Sequence, residues 1–174
     1  MNVFLIGLRG TGKSTAGRVT ADLLVRSFID LDDLTGEIVG CDPATCFAEQ
    51  GEDAWRAGEL IALKETLGRP APSIIALGGG TPIAPGAEAC LRIAREDQRA
   101  RIAWLDSTPE LLTRRIGDDP GRPSLTDLSP LDEMKAMDIA RRPVFQRIAD
   151  QRIDVTDLSL SAVVGSVMAL ATRG

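Results

Sequence analysis

Gly7-Leu8-Arg9-Gly10-Thr11-Gly12-Lys13-Ser14 satisfies the pattern G-x-x-x-x-G-K-[ST] without a mismatch. Just before it, Val3-Phe4-Leu5-Ile6 is a short apolar run suited to a buried strand. Just after it, Thr15 to Leu24 is rich in alanine and places Ala16, Val19 and Leu23 on one helical face. Strand, glycine-rich loop and helix in that order make a phosphate-binding loop. Backbone N–H groups turn inward around an anion, and the helix N-terminus adds the positive end of its dipole. Lys13 is placed for the β- and γ-phosphates of a nucleotide, and the Ser14 hydroxyl for Mg²⁺. Gly10, Thr11, Gly12 and Thr15 complete the nucleotide-binding residues expected in this stretch.

The rest of the composition narrows the class. A chain of 174 residues fits one domain with a proper hydrophobic core. A net charge of −5 argues against a general nucleic-acid binder, which needs surplus lysine and arginine. With no histidine in the chain, general-base and metal-ligand duties fall to carboxylates. Cys41, Cys46 and Cys90 follow no metal-ligand spacing and read as reduced thiols of a cytosolic protein. The N-terminal apolar run is too short for a signal peptide or a membrane span.

Downstream of the loop, Phe28, Ile29 and Leu31 read as a second strand that delivers Asp30 and Asp32 at its C-terminal end. Ligands of open α/β sheets bind at such ends. Two residues apart on an extended segment, these carboxylates are expected to point the same way. Asp33 is a candidate cap for a helix starting near Leu34. From Leu34 to Leu67, helical pieces broken at Gly40, Asp42-Pro43 and Gly51 suit a lid or cap subdomain inserted between strands. Within it, Arg56 beside Trp55 reads two ways: as an anion clamp against an apolar wall, or as a solvated helix pair with Glu59.

Ser73-Ile74-Ile75-Ala76-Leu77 is a further buried strand, and its terminal Gly78-Gly79-Gly80 lets backbone approach a ligand closely. A helix over Pro85 to Arg95 and a strand over Arg101 to Leu105 follow; Thr108 then caps a helix with Pro109 at its first position, running to Ile116. Gly117 to Thr126 has loop composition and is accompanied by Arg114, Arg115 and Arg122, as in a mobile loop that encloses a phosphoryl group. Pro130 to Ala149 is a helical pattern interrupted at Arg141-Arg142-Pro143; a strand over Arg152 to Val155 and a helix over Leu158 to Ala171 close the chain. The alternation predicts one three-layer α/β domain with a parallel sheet.

The ordered set Phe28-x-Asp30-x-Asp32, Gly51-Glu52 through Trp55-Arg56-x-x-Glu59, Gly78-Gly79-Gly80, Arg122-Pro123 and Arg141-x-Pro143 resembles the shikimate kinase family over nearly the whole chain. The resemblance implies a P-loop kinase fold with a five-stranded parallel sheet flanked by helices. Residues 1–174 would form a single domain, with a substrate-binding subdomain at about 34–67 and a lid at about 117–126. It implies transfer of the ATP γ-phosphoryl group to the 3-hydroxyl of shikimate with Mg²⁺. The chain is expected to be a cytoplasmic monomer with no nucleic-acid or membrane partner.

Carried over by position, Asp32 would meet the reacting hydroxyl and Asp30 would stand near the metal and its waters, with Ser14. Arg56 and Arg141 would hold the shikimate carboxylate while Gly79 and Gly80 approach the substrate through backbone. Arg122 would face the transferred phosphate from the lid, and Arg115 would pack near the adenine. Lys13, Asp32 and Arg122 are thus the expected catalytic residues. The chain departs from the family's usual residues at four places: Trp55 for Phe, Phe145 for Tyr, Ser124 within the usual Arg-Pro-Leu-Leu, and Arg9 where many members carry Met. Two other readings compete. A gluconate-type sugar-acid kinase would share the nucleotide site but not the Arg56, triple-glycine and Arg141 set. A regulatory module without turnover is opposed by Lys13, Ser14, Asp32 and Arg122.

Overall fold

A computed structural model describes residues 1–117 and 128–173. Five strands, β1 (Asn2–Ile6), β2 (Ser27–Asp30), β3 (Ser73–Ala76), β4 (Ala100–Asp106) and β5 (Gln151–Asp154), form one all-parallel sheet in the order β2-β3-β1-β4-β5. Among the described residues, eight α-helices connect or flank them: α1 (Lys13–Leu24), α2 (Leu31–Val39), α3 (Pro43–Glu49), α4 (Glu52–Gly68), α5 (Ala87–Glu96), α6 (Pro109–Ile116), α7 (Pro130–Ile148) and α8 (Leu160–Thr172).

The unbroken apolar run of β1 is explained by helices on both faces of the sheet. Phe4 and Ile6 pack on one side with Leu63, Leu91, Phe145 and Ile148, from α4, α5 and α7. Val3 and Leu5 pack on the other with Ala16, Ala21, Val164 and Val167, from α1 and α8. Period-two alternation thus supplies two cores from one strand. The chain leaves β1 toward β2 on one side, while neighbouring β4 leads to β5 on the other. A crevice opens where such connections diverge, beyond the C-terminal ends of the strands.

Several boundaries fall where local chemistry puts them. The Thr108 side chain accepts from Leu111 N–H at 3.3 Å, with Pro109 opening α6. The breaks between α2, α3 and α4 lie at Gly40, at Asp42-Pro43 and at Gly51, as the sequence predicts.

Two expectations are corrected. Leu31 is not a strand residue: it opens α2, and the cap is Asp30, whose carboxylate accepts from Asp32 N–H at 3.2 Å. Asp30 and Asp32 therefore do not share an extended segment, and Asp33 lies in the first helical turn rather than capping a helix near Leu34. Leu31 is fully buried, so the apolar pattern alone could not separate strand end from helix start. Second, α7 is not interrupted at Arg141-Arg142-Pro143 but runs through Pro143. Proline removes one helical hydrogen bond, yet Phe145 and Ile148 beyond it are buried, and Arg142 anchors the turn before it. Tertiary packing overrides the local penalty.

Candidate active site

Two adjoining clefts lie along the C-terminal edge of the sheet. The smaller, of about 350 Å³, is walled by the loop after β1, with Gly10, Gly12, Lys13, Ser14 and Thr15, and by Asp30 and Arg115. Gly12 sits at φ 85°, ψ 19°, a left-handed conformation suited to glycine, and caps α1 with no side-chain hydrogen bond. The first amides of α1 therefore face an anion site without a competing side-chain acceptor. The Lys13 ammonium donates to the carbonyls of Gly7 and Leu8, at 2.9 Å each, inside the curve of the loop. Thr11 Oγ1 donates to Leu8 O at 2.8 Å, so Thr11 braces the loop from within.

Ser14 Oγ donates to Asp30 Oδ2 at 2.6 Å, while Asp30 Oδ1 caps α2. A hydroxyl and a carboxylate held together beside a phosphate loop form the hard oxygen donor set that Mg²⁺ takes alongside phosphates and water. Arg115 donates to Val155 O at 3.2 Å, which fixes it on the outer wall of this cleft.

The larger cleft, of about 970 Å³, opens between the sheet edge and the α2–α4 segment. Trp55 forms an apolar wall, set edge-on to Phe47 with ring centroids 6.1 Å apart. Arg56 forms the helix pair with Glu59, but enclosed rather than solvated. It pairs with Glu59 at 2.7 Å and Glu52 at 2.6 Å, yet Glu59 is buried and Arg56 lines the cleft. Burial works against the Arg56 charge, but Glu59 and Glu52 outweigh it and hold its pKa above the ordinary value. Glu59 also accepts from Thr81 Oγ1 at 2.5 Å, tying the glycine turn to α4.

Arg141 differs. Among the described residues it has no hydrogen bond or ion pair, although it is largely enclosed. Burial, and then the neighbouring Arg56 charge, push its pKa below the ordinary value. A guanidinium cannot shed its proton at neutral pH, so an anion entering the cleft would offset the cost of its burial. Its neighbour Arg142 is committed elsewhere, making two 3.0 Å bonds to Asp106 and further bonds to Asp138. Asp106 also receives Arg152 at 2.7 Å.

The triple glycine earns its place by sterics. A Cβ on Gly80 would collide with the Arg56 guanidinium, and one on Gly78 with Asp32 Oδ1. At Gly79 it would stand 3.1 Å from Arg141 Nη1. Asp32 lines both clefts.

The structure thus brings Lys13, Ser14, Thr15, Asp30 and Arg115 to one cleft, Arg56, Gly80 and Arg141 to the other, and Asp32 and Gly79 to both. Arg122 and Ser124 lie outside the described residues, as does the expected lid apart from Gly117. Sequence reasoning read Glu59 only as a solvated partner of Arg56 and Gly78 only as close-approaching backbone, and missed the Glu59–Thr81 bridge and the notch at Gly78. Their only sequence signal is the motif Trp55-Arg56-x-x-Glu59 followed by three glycines.

A phosphate loop, a hydroxyl–carboxylate pair beside it and a second cleft sharing a carboxylate define a P-loop kinase of a small acceptor. A model of the family described as Shikimate kinase matches residues 9–171. The shikimate kinase of Rhodopirellula baltica is 36% identical over 98% of this chain and 90% of its own length. That of Limosilactobacillus fermentum is 37% identical over 97% and 94%. The structure of shikimate kinase from Acinetobacter baumannii in complex with shikimate superposes with a TM-score of 0.87 at 28% identity, covering 98% of this chain and 92% of that one. This chain belongs to the shikimate kinase family. Among the described residues, no helix is long and apolar enough to cross a membrane.

Proposed function

We propose that the chain transfers the γ-phosphoryl group of ATP to the 3-hydroxyl of shikimate, giving shikimate 3-phosphate and ADP. The observation that carries this reading is Arg141: an enclosed guanidinium with no hydrogen bond or ion pair among the described residues, facing a cleft that shares Asp32 with the nucleotide site. Shikimate supplies one carboxylate for Arg141 and Arg56 and hydroxyls for the carboxylate and backbone opposite. Asp32 accepts the hydroxyl proton as that oxygen bonds to the γ-phosphorus. The bond from this phosphorus to the β–γ bridging oxygen breaks, and ADP leaves with the electron pair.

Mg²⁺, when bound, neutralises charge on the β- and γ-phosphate oxygens. Ser14 and Asp30 would hold it. Lys13 draws the same phosphates into the loop.

ADP release measured with shikimate, gluconate and nucleoside monophosphates tests the acceptor. Release with shikimate alone is expected; release only with gluconate overturns the reading, and none with any acceptor makes the chain a nucleotide-binding module. The clamp has its own test. Truncating one partner of a buried charged hydrogen bond costs on the order of 2–5 kcal/mol. Arg141→Ala should therefore weaken shikimate binding by more than about tenfold, with ATP binding largely retained. Arg56→Ala should do the same. Lysine at either position should not fully rescue, since a point charge lacks the planar fork. Unchanged shikimate affinity in both alanine variants would refute the clamp.

A further inference from the structure

Of the described residues, Arg9, Asp32, Gly78 and Gly79 line both clefts, and Arg9 is the one cation among them. Lys13 and Arg115 line only the nucleotide cleft, Arg56 and Arg141 only the acceptor cleft. A phosphoryl group passing between the clefts must carry its negative charge across this shared boundary. We propose that Arg9 contacts the phosphoryl group in transfer and then holds the phosphate of the product. The inference rests on the acceptor reading above.

The side chain of Arg9 is mostly enclosed, and its Nη2 reaches the buried Glu133 of α7 at 3.4 Å. That is long for a charge-assisted bond, which settles near 2.7–2.9 Å. A guanidinium has five N–H donors. This contact occupies one, and Arg9 Nε is buried with no hydrogen-bond partner among the described residues. A buried donor without an acceptor is costly, and a phosphoryl oxygen at the junction would satisfy it. Arg9 also stands near enough to Arg141 for its charge to act on that guanidinium. Converging cations at the mouth of a phosphate loop favour an anion richer in charge than a carboxylate. The loop motif leaves position 9 open, so phosphate-loop geometry does not by itself require arginine there.

Arg9→Met keeps the stem and removes the charge. Arg9→Lys keeps a cation opposite Glu133 but loses the fork, and guards against the first variant failing to fold. Turnover at saturating ATP and shikimate is measured beside calorimetric affinities for shikimate and for shikimate 3-phosphate. Arg9→Met should lower kcat by roughly 10²-fold, the scale for losing one preorganised donor at developing charge. Affinity for shikimate 3-phosphate should fall by about tenfold or more, and that for shikimate by less than about threefold. Arg9→Lys should fall between.

A kcat within about threefold of the unmodified protein in whichever variant folds, far below that scale, overturns the inference alone. Equal weakening of shikimate and its phosphate also overturns it, and makes Arg9 a third member of the carboxylate clamp. No ADP release with shikimate from the unmodified protein overturns both the acceptor reading and this one.

Discussion

Lys13→Ala protein is expected to fold normally and to show no detectable phosphoryl transfer. The lysine ammonium serves two ends. It braces the loop through the Gly7 and Leu8 carbonyls, and inside the loop's curve it would meet the β- and γ-phosphate oxygens. Removing a cation aimed at the transferred group costs on the order of 10³-fold or more in turnover. The fold should survive, because both cores lie below the loop and Lys13 belongs to neither. Circular dichroism establishes folding and coupled ADP release reads turnover. Near-normal turnover in a folded variant would remove the loop from the chemistry.

The second large effect concerns Asp32. Its carboxylate stands at the boundary of both clefts, in a notch that exists only because residue 78 has no side chain. Asp32→Asn keeps shape and one acceptor oxygen while removing the charge that draws the hydroxyl proton. A fall in kcat of roughly 10²–10⁴-fold is expected, the usual range for a positioned acid or base. ATP and Mg²⁺ binding should persist, since Ser14 and Asp30 hold each other independently of the Asp32 side chain. Turnover at saturating shikimate and nucleotide affinity are measured on the same preparation. A loss below about threefold, short of that range, would take Asp32 out of the catalytic role.

Features whose chemistry is local were legible in the sequence: the phosphate loop between a strand and a helix, the Thr108-Pro109 start of α6 and the glycine breaks around α3. Each depends on residues within one turn of one another. The Asp30–Asp32 error also arose locally, because a buried leucine at a strand–helix junction satisfies both periodicities. Asp30 followed by Asp32 and Asp33 was nonetheless a helix-start signal.

Other features could not be read from the chain. Arg141 and Arg142 are adjacent and chemically identical, yet one is held by Asp106 and Asp138 and the other faces the cleft. Asp138 lies one helical turn away, but the other acid is on β4, 36 residues from Arg142. Glu133 meets Arg9 across 124 residues. Pairings of that reach are set by the sheet order, which no local pattern encodes. Phe145 in place of the family's usual Tyr is explained by burial against Trp104, where a hydroxyl would need a partner.

The chain has two tryptophans and no tyrosine, and their settings give it an optical property. Trp55 is part of the acceptor cleft wall. Trp104 lies in β4, lines neither cleft, and has the guanidinium carbons of Arg142 and Arg152 at 5.1 and 5.4 Å from its ring centre. Ultraviolet emission from this protein therefore comes from one indole exposed to cleft occupancy and one held in a fixed ionic cage. Filling the acceptor cleft should change the first component and leave the second as a built-in intensity standard. In Trp55→Phe protein the shikimate-dependent change should vanish; if it persists, Trp104 is responding and the cage is not fixed. Because the reporter is native, acceptor binding can be followed without a dye, a label or turnover.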